Sequence, residues 1–160
     1  MKKYIILTAC LIGILAPHTI LAQRLEVNFN TNWKFVLNDE PEAFNPDWDD
    51  SNWVKLDVPH DWAFEKGVSK NGAQTDKGGY FSGGVGWYRK YFDVPAEWDN
   101  KRILIEFDGV YMNSEVWING HYLGKRPYGY ISFRYELTEF LNPGKNTIAV
   151  RVDNSQEPSA

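Results

Sequence analysis

The chain has 160 residues, a net charge of −4 and one cysteine, Cys10. That length suits one domain behind an export signal, and the acidic balance without a basic stripe argues against nucleic acid and anionic membrane surfaces as partners. Seven tryptophans, nine tyrosines and nine phenylalanines are a heavy aromatic load. Such side chains fill sandwich cores, and their flat faces also suit the C–H faces of sugars.

Lys2 and Lys3 precede an apolar run from Tyr4 to Ala16, which Pro17 and His18 interrupt before it could span a bilayer. Ile20 and Ala22 stand where a signal peptidase reads. Residues 1–22 are therefore expected to be a cleaved signal peptide and residues 23–160 an exported domain, periplasmic or extracellular. Leu7-Thr8-Ala9-Cys10 also matches a bacterial lipoprotein signal. The apolar run before Cys10 is short and continues to Leu15, which favours cleavage after Ala22. Cleavage would remove Cys10, leaving no thiol for disulfides or thiolate metal sites. No cofactor or metal motif stands out.

Downstream, period-two alternation predicts strands and almost no helix. Candidate strands are Trp33–Leu37, Val54–Val58, Trp87–Val94, Ile103–Asp108, Glu115–Ile118, Phe133–Leu137 and Ile148–Val152. Each of the clearest has one apolar face, as in Ile148, Val150 and Val152, with Ala149 and Arg151 opposite. Trp87 and Tyr88 should point to opposite faces of their strand. Asn119-Gly120 predicts a two-residue hairpin turn, because both residues tolerate positive φ. A single helical turn is expected at Asp47–Asn52, and another at Glu139-Phe140-Leu141 capped by Thr138. Many short strands separated by turns indicate an all-β sandwich or jelly roll.

Lys66 to Gly86 is a glycine-rich stretch that also contains Tyr80 and Phe81. Aromatic residues have no use in a flexible spacer, so this loop is expected to shape a site. His60 beside Asp61 suggests acid/base work, but adjacent residues on an extended chain face apart. Asp61 capping the following turn is the preferred reading. Glu115, next to Val116 and Trp117, reads as a carboxylate on a solvated strand face.

Val58-Pro59-His60-Asp61-Trp62, Gly83-Gly84-Val85-Gly86-Trp87-Tyr88-Arg89-Lys90, and the series Phe107-Asp108-Gly109-Val110, Val116-Trp117-Ile118-Asn119-Gly120, Tyr128-Gly129-Tyr130 and Asn142-Pro143-Gly144-Lys145-Asn146 occur in this order. Together they resemble the N-terminal sugar-binding domain of family 2 glycoside hydrolases, most closely the β-galactosidase-like members. The resemblance spans Trp33 to Asn154. It implies a galactose-binding-like jelly roll and a carbohydrate partner; galactoside, glucuronide and mannoside are all open as the parent's substrate, with Gly86-Trp87-Tyr88-Arg89-Lys90 leaning towards a β-galactoside-like glycan. It also implies a parent enzyme that retains anomeric configuration through two glutamates on a later (β/α)₈ barrel. Retention needs two carboxyls about 5–5.5 Å apart, and no acidic residue of this chain matches either glutamate. The chain alone is expected to be inactive and truncated at its C-terminus, so that Ile148–Val152 lacks a neighbouring strand.

In the family, loops of this domain help wall the glycone subsite. Asn71, Asp76 and Tyr80 are the candidate sugar contacts of the Lys66–Gly86 loop, with His60 and Asp61 as secondary candidates; Asn and Asp can bond vicinal hydroxyls, and Tyr can stack on a ring. Tyr128-Gly129-Tyr130 is assigned a scaffold role. A free-standing carbohydrate-binding module and a structural surface sandwich are the alternative readings.

Overall fold

A computed structural model describes residues 24–69 and 80–155. Among these residues, eight strands form two antiparallel sheets. They are β1 (Trp33–Val36), β2 (Val54–Leu56), β3 (Val85–Asp93), β4 (Leu104–Phe107), β5 (Ser114–Ile118), β6 (His121–Arg126), β7 (Phe133–Glu136) and β8 (Lys145–Asp153). The larger sheet runs β2-β1-β3-β8-β5-β6, and β4 pairs with β7 in the smaller one. Every strand expected from alternation is present, with its ends shifted by a few residues, and the all-β sandwich is the observed architecture.

Local signals account for the turns. Asn119 (φ 49°) and Gly120 (φ 82°) both lie in the left-handed region, and Ile118 pairs with His121 across them. Gly144, also at positive φ, precedes β8 directly. Asn146 is fully buried there, with its amide donating to the carbonyls of Asn142 and Gly144 and its Oδ1 accepting from Asn142 N–H.

The inner face of the large sheet and the small sheet share one core: Trp33, Phe35, Tyr88, Ile148, Val150 and Val152 meet Ile105, Phe133 and Leu137. Trp87 and Tyr88 do point to opposite faces, but both are buried. The outer face carries a second cluster of Trp87, Ala149, Trp53 and Ala43, with Phe44, Trp48 and Trp117 against it. The small side chain of Ala149 leaves room for indole rings. Residues 38–53 thus form a strap over the outer face, and β3 and β8 are covered on both sides.

Arg89, fully buried, ties the strap down. Its Nε donates to Asp50 Oδ2 at 2.8 Å, and its terminal nitrogens donate to the carbonyls of Ala43, Asn45 and Pro46. Lys34 Nζ (2.6 Å) and the Tyr91 hydroxyl (2.8 Å) also donate to the Asp50 carboxylate. Burial pushes that carboxyl up, but the hydrogen bonds from Lys34, Tyr91 and Arg89 outweigh it and hold it below the usual carboxylate range.

Three expectations are corrected. Ile148–Val152 does not lack a neighbour: β8 lies between β3 and β5, paired with both. Strand order is a long-range property that alternation cannot report, and the sheet ends on β2 and β6. Asp47–Asn52 is a series of turns, because Asn45 and Asp49 accept from the N–H groups of Asp47 and Ser51 while Asp50 turns inward to Arg89. A 3₁₀ turn does occur at Thr138–Phe140, but Thr138 does not cap it; its hydroxyl accepts from Ile103 N–H instead.

Candidate functional site

At one end of the sandwich a cavity of about 650 Å³ opens between the sheets. Trp33, Tyr88, Val150 and Val152 of the large sheet form its apolar floor, and Ile105 and Phe107 of β4 form one wall. Loops complete it: Val58–Phe64 with Phe81 on one side, and Asp108–Tyr111 with Tyr130 on the other.

The first side is built around a short helix, α1 (Trp62–Lys66). Asp61 is its N-cap, with Oδ1 accepting from Ala63 N–H at 2.9 Å and Phe64 N–H at 3.1 Å. Gly67, at φ 70°, ends the helix. The geometry turns Trp62 inward, stacked on Phe35 with ring centroids 5.6 Å apart, and leaves Phe64 exposed. Gly86 makes that stack possible, since a Cβ there would come within 2.8 Å of Phe35 and 3.1 Å of Trp62. Trp62 Nε1 is buried and has no hydrogen-bond partner among the described residues.

His60 lies beneath this helix. Its Nδ1 is 2.7 Å from the Tyr88 hydroxyl and its Nε2 is 3.2 Å from Glu65 Oε2. Burial, with the nearby charges of Asp61 and Glu65, pushes the Tyr88 hydroxyl well above its ordinary value. The Glu65 carboxylate accepts, which assigns the ring proton to Nε2 and leaves Nδ1 to accept from the Tyr88 hydroxyl. With both ring nitrogens engaged, His60 orients the wall and has no free nitrogen to offer a ligand.

The glycine-rich stretch leaves and re-enters the described structure at Ser69 and Tyr80. Its base is closed by the bridge between Val68 and Phe81 and by the bond from Ser69 N–H to Tyr80 carbonyl. Tyr80 is about half exposed at this neck, at φ 59°, and is not among the cavity-lining residues. Asn71 and Asp76 lie outside the described residues. At the far end of the loop, Gly84 and Asn154 exchange two bonds, anchoring it to the end of β8. Glu115 lies away from the cavity, its Oε1 3.6 Å from Arg151 and 3.7 Å from Lys125.

The structure thus gathers His60 and Asp61 at the cavity, leaves Tyr80 out of its lining, and adds residues the sequence reading did not propose as sugar contacts: Phe64, Asp108, Tyr111 and Tyr130. The scaffold reading of Tyr128-Gly129-Tyr130 holds for the glycine, whose Cβ would strike Tyr111, but the two tyrosines are exposed. An aromatic pair bracketing a glycine in a predicted loop was the available signal. Asp61, Glu106 and Asp108 make the mouth acidic, and no Lys or Arg lines the cavity among the described residues. An apolar floor, aromatic rim and carboxylate acceptors suit a neutral polyhydroxylated ligand.

Known proteins match both sequence and fold. A candidate beta-glucuronidase of Formosa agariphila is 59% identical over 154 residues, which cover 95% of this chain and 15% of that protein. The beta-galactosidase BoGH2A of Bacteroides ovatus is 44% identical, with 99% of this chain and 20% of that protein covered. A solved beta-glycosidase from Bacteroides vulgatus superposes with a TM-score of 0.77 at 50% identity, over 81% of this chain and 17% of that one. The chain thus spans about a fifth or less of the length of these relatives. The model of the sugar-binding domain of family 2 glycosyl hydrolases matches residues 27–160. The chain belongs to that family, as its N-terminal sugar-binding domain.

Proposed function

We propose that this domain serves a secreted, retaining glycoside hydrolase acting on β-galactosides, and supplies binding contacts rather than catalytic groups. The acidic cavity mouth carries the choice of sugar. Asp61, Glu106 and Asp108 stand there with no described Lys or Arg in the lining. A glucuronide would bring its own carboxylate to this rim and meet like charge, whereas a galactoside offers neutral hydroxyls that these carboxylates accept from. Names of both kinds occur among the relatives, and the rim, in which Asp108 carries no ion pair among the described residues, favours the galactoside. The export signal expected at residues 1–22 from its charged start and apolar run supports a periplasmic or extracellular setting.

The test uses the full-length enzyme that carries this domain, assayed on p-nitrophenyl β-galactoside and p-nitrophenyl β-glucuronide. The galactoside should be the faster substrate by kcat/KM, and NMR of the first-formed product should show the β-anomer. A faster glucuronide, or an α-anomer, would overturn the proposal. The chain by itself should hydrolyse neither substrate.

A further inference from the structure

Two loops at the cavity mouth pack backbone against backbone. A Cβ at Gly109 would sit 3.0 Å from the Gly129 carbonyl oxygen, and a Cβ at Gly129 would sit 2.6 Å from Tyr111 Cδ2 and 2.8 Å from its Cα. A side chain at Gly129 would force Tyr111 to move, and one at Gly109 would need the Gly129 carbonyl to give by a few tenths of an ångström. This close approach sets three tyrosines in a row. Tyr111 and Tyr130 have ring centroids 5.3 Å apart, and Tyr130 and Tyr128 5.7 Å apart. Tyr111 and Tyr130 line the cavity and Tyr128 does not, so the row leads outward from its mouth. Tyr130 is 75% exposed and Tyr128 58%.

We propose that this row is a carbohydrate platform, on which sugar units beyond the one at the cavity rest as a glycan chain passes outwards. The proposal builds on the reading that the domain binds carbohydrate. Tyrosine offers a ring face to the C–H groups of a pyranose and a hydroxyl to its oxygens, and it loses little rotamer freedom in doing so. The glycine contact holds the rings in place before binding, which lowers the ordering cost.

The charges beside the row select a sugar over an apolar protein partner. Asp108 is exposed and makes no ion pair or side-chain hydrogen bond among the described residues. Among the described residues Glu106 pairs only with Arg24, at 3.2 Å, at the surface. An apolar partner closing over the mouth would strip water from these carboxylates without replacing it. Sugar hydroxyls would donate to them.

The experiment titrates the chain by calorimetry with neutral β-linked galacto- and gluco-oligosaccharides, from monosaccharide to hexasaccharide. Affinity should rise with length. Tyr128→Ala should weaken the hexasaccharide about tenfold more than the monosaccharide, a differential of about 1.4 kcal/mol, and Tyr128→Phe should restore most of the gain. Tyr130→Ala serves as a second variant, and a thermal melt of each checks that the fold is kept. Affinity that stays flat with length, or hexasaccharide binding unchanged in both alanine variants, would overturn the platform. Those outcomes leave the hydrolase reading standing, because that reading is decided by the full-length enzyme's activity. An inactive full-length enzyme with length-dependent binding on the chain would do the reverse.

Discussion

Replacing Asp50 by asparagine removes the charge that neutralises Arg89 while preserving shape. Asp50 is 4% exposed and Arg89 0%, so neither group can turn to water without moving the strap of residues 38–53. Breaking a buried pair by neutralising one partner costs about 3–5 kcal/mol. Arg89 would keep the carbonyls of Ala43, Asn45 and Pro46, so the lower end, about 3 kcal/mol, is expected. Against a domain stability of about 5–15 kcal/mol that is a large fraction. Urea unfolding followed by tryptophan fluorescence reads it, since Trp53 and Trp87 lie between strap and sheet; the midpoint should fall with the slope unchanged. The effect must also depend on pH. The folded-state carboxyl lies below its unfolded value of about 3.9. Its stabilisation is therefore complete above that value and disappears as pH falls through the folded pKa. Wild type and Asp50→Asn should converge in strong acid. The paired change Arg89→Met with Asp50→Leu should not recover the loss, because it leaves the Lys34 ammonium, the Tyr91 hydroxyl and the carbonyls of Ala43, Asn45 and Pro46 without these partners. A loss under about 1 kcal/mol for Asp50→Asn at neutral pH would refute the view that this pair clamps the strap.

Asp61→Ala should lower stability by about 1 kcal/mol through loss of the α1 cap, seen as a lower melting temperature. Asp61→Asn, which keeps an acceptor, should lose less. Galactose should bind the chain with millimolar or weaker affinity, since one wall of a site encloses little of a ligand whereas tight sites enclose most of it. Calorimetry giving micromolar affinity would favour a free-standing carbohydrate-binding module. Protein recovered from the periplasm or medium should begin at Gln23; a lipid-modified Cys10 on a membrane-bound form would contradict that expectation.

The sequence by itself determined the strands, their apolar inner faces, the Asn119-Gly120 turn and the Asp61 cap. Each of these follows from neighbours within a few residues: alternation at period two, tolerance of positive φ, a side-chain oxygen placed ahead of free N–H groups. Its ordered motifs also carried the family. Only the tertiary structure decided that β8 is central, because its partners β3 and β5 lie far away along the chain. Arg89 follows the same logic. Alternation places it on the outer face, where a charged residue suggests solvent, yet the strap from residues 38–53 buries it completely. Tyr111 and Tyr130 belong to loops separated by a hairpin, and they become neighbours only because Gly109 and Gly129 let two backbones touch. Contacts of that kind depend on chain closure between distant segments, which no local pattern encodes.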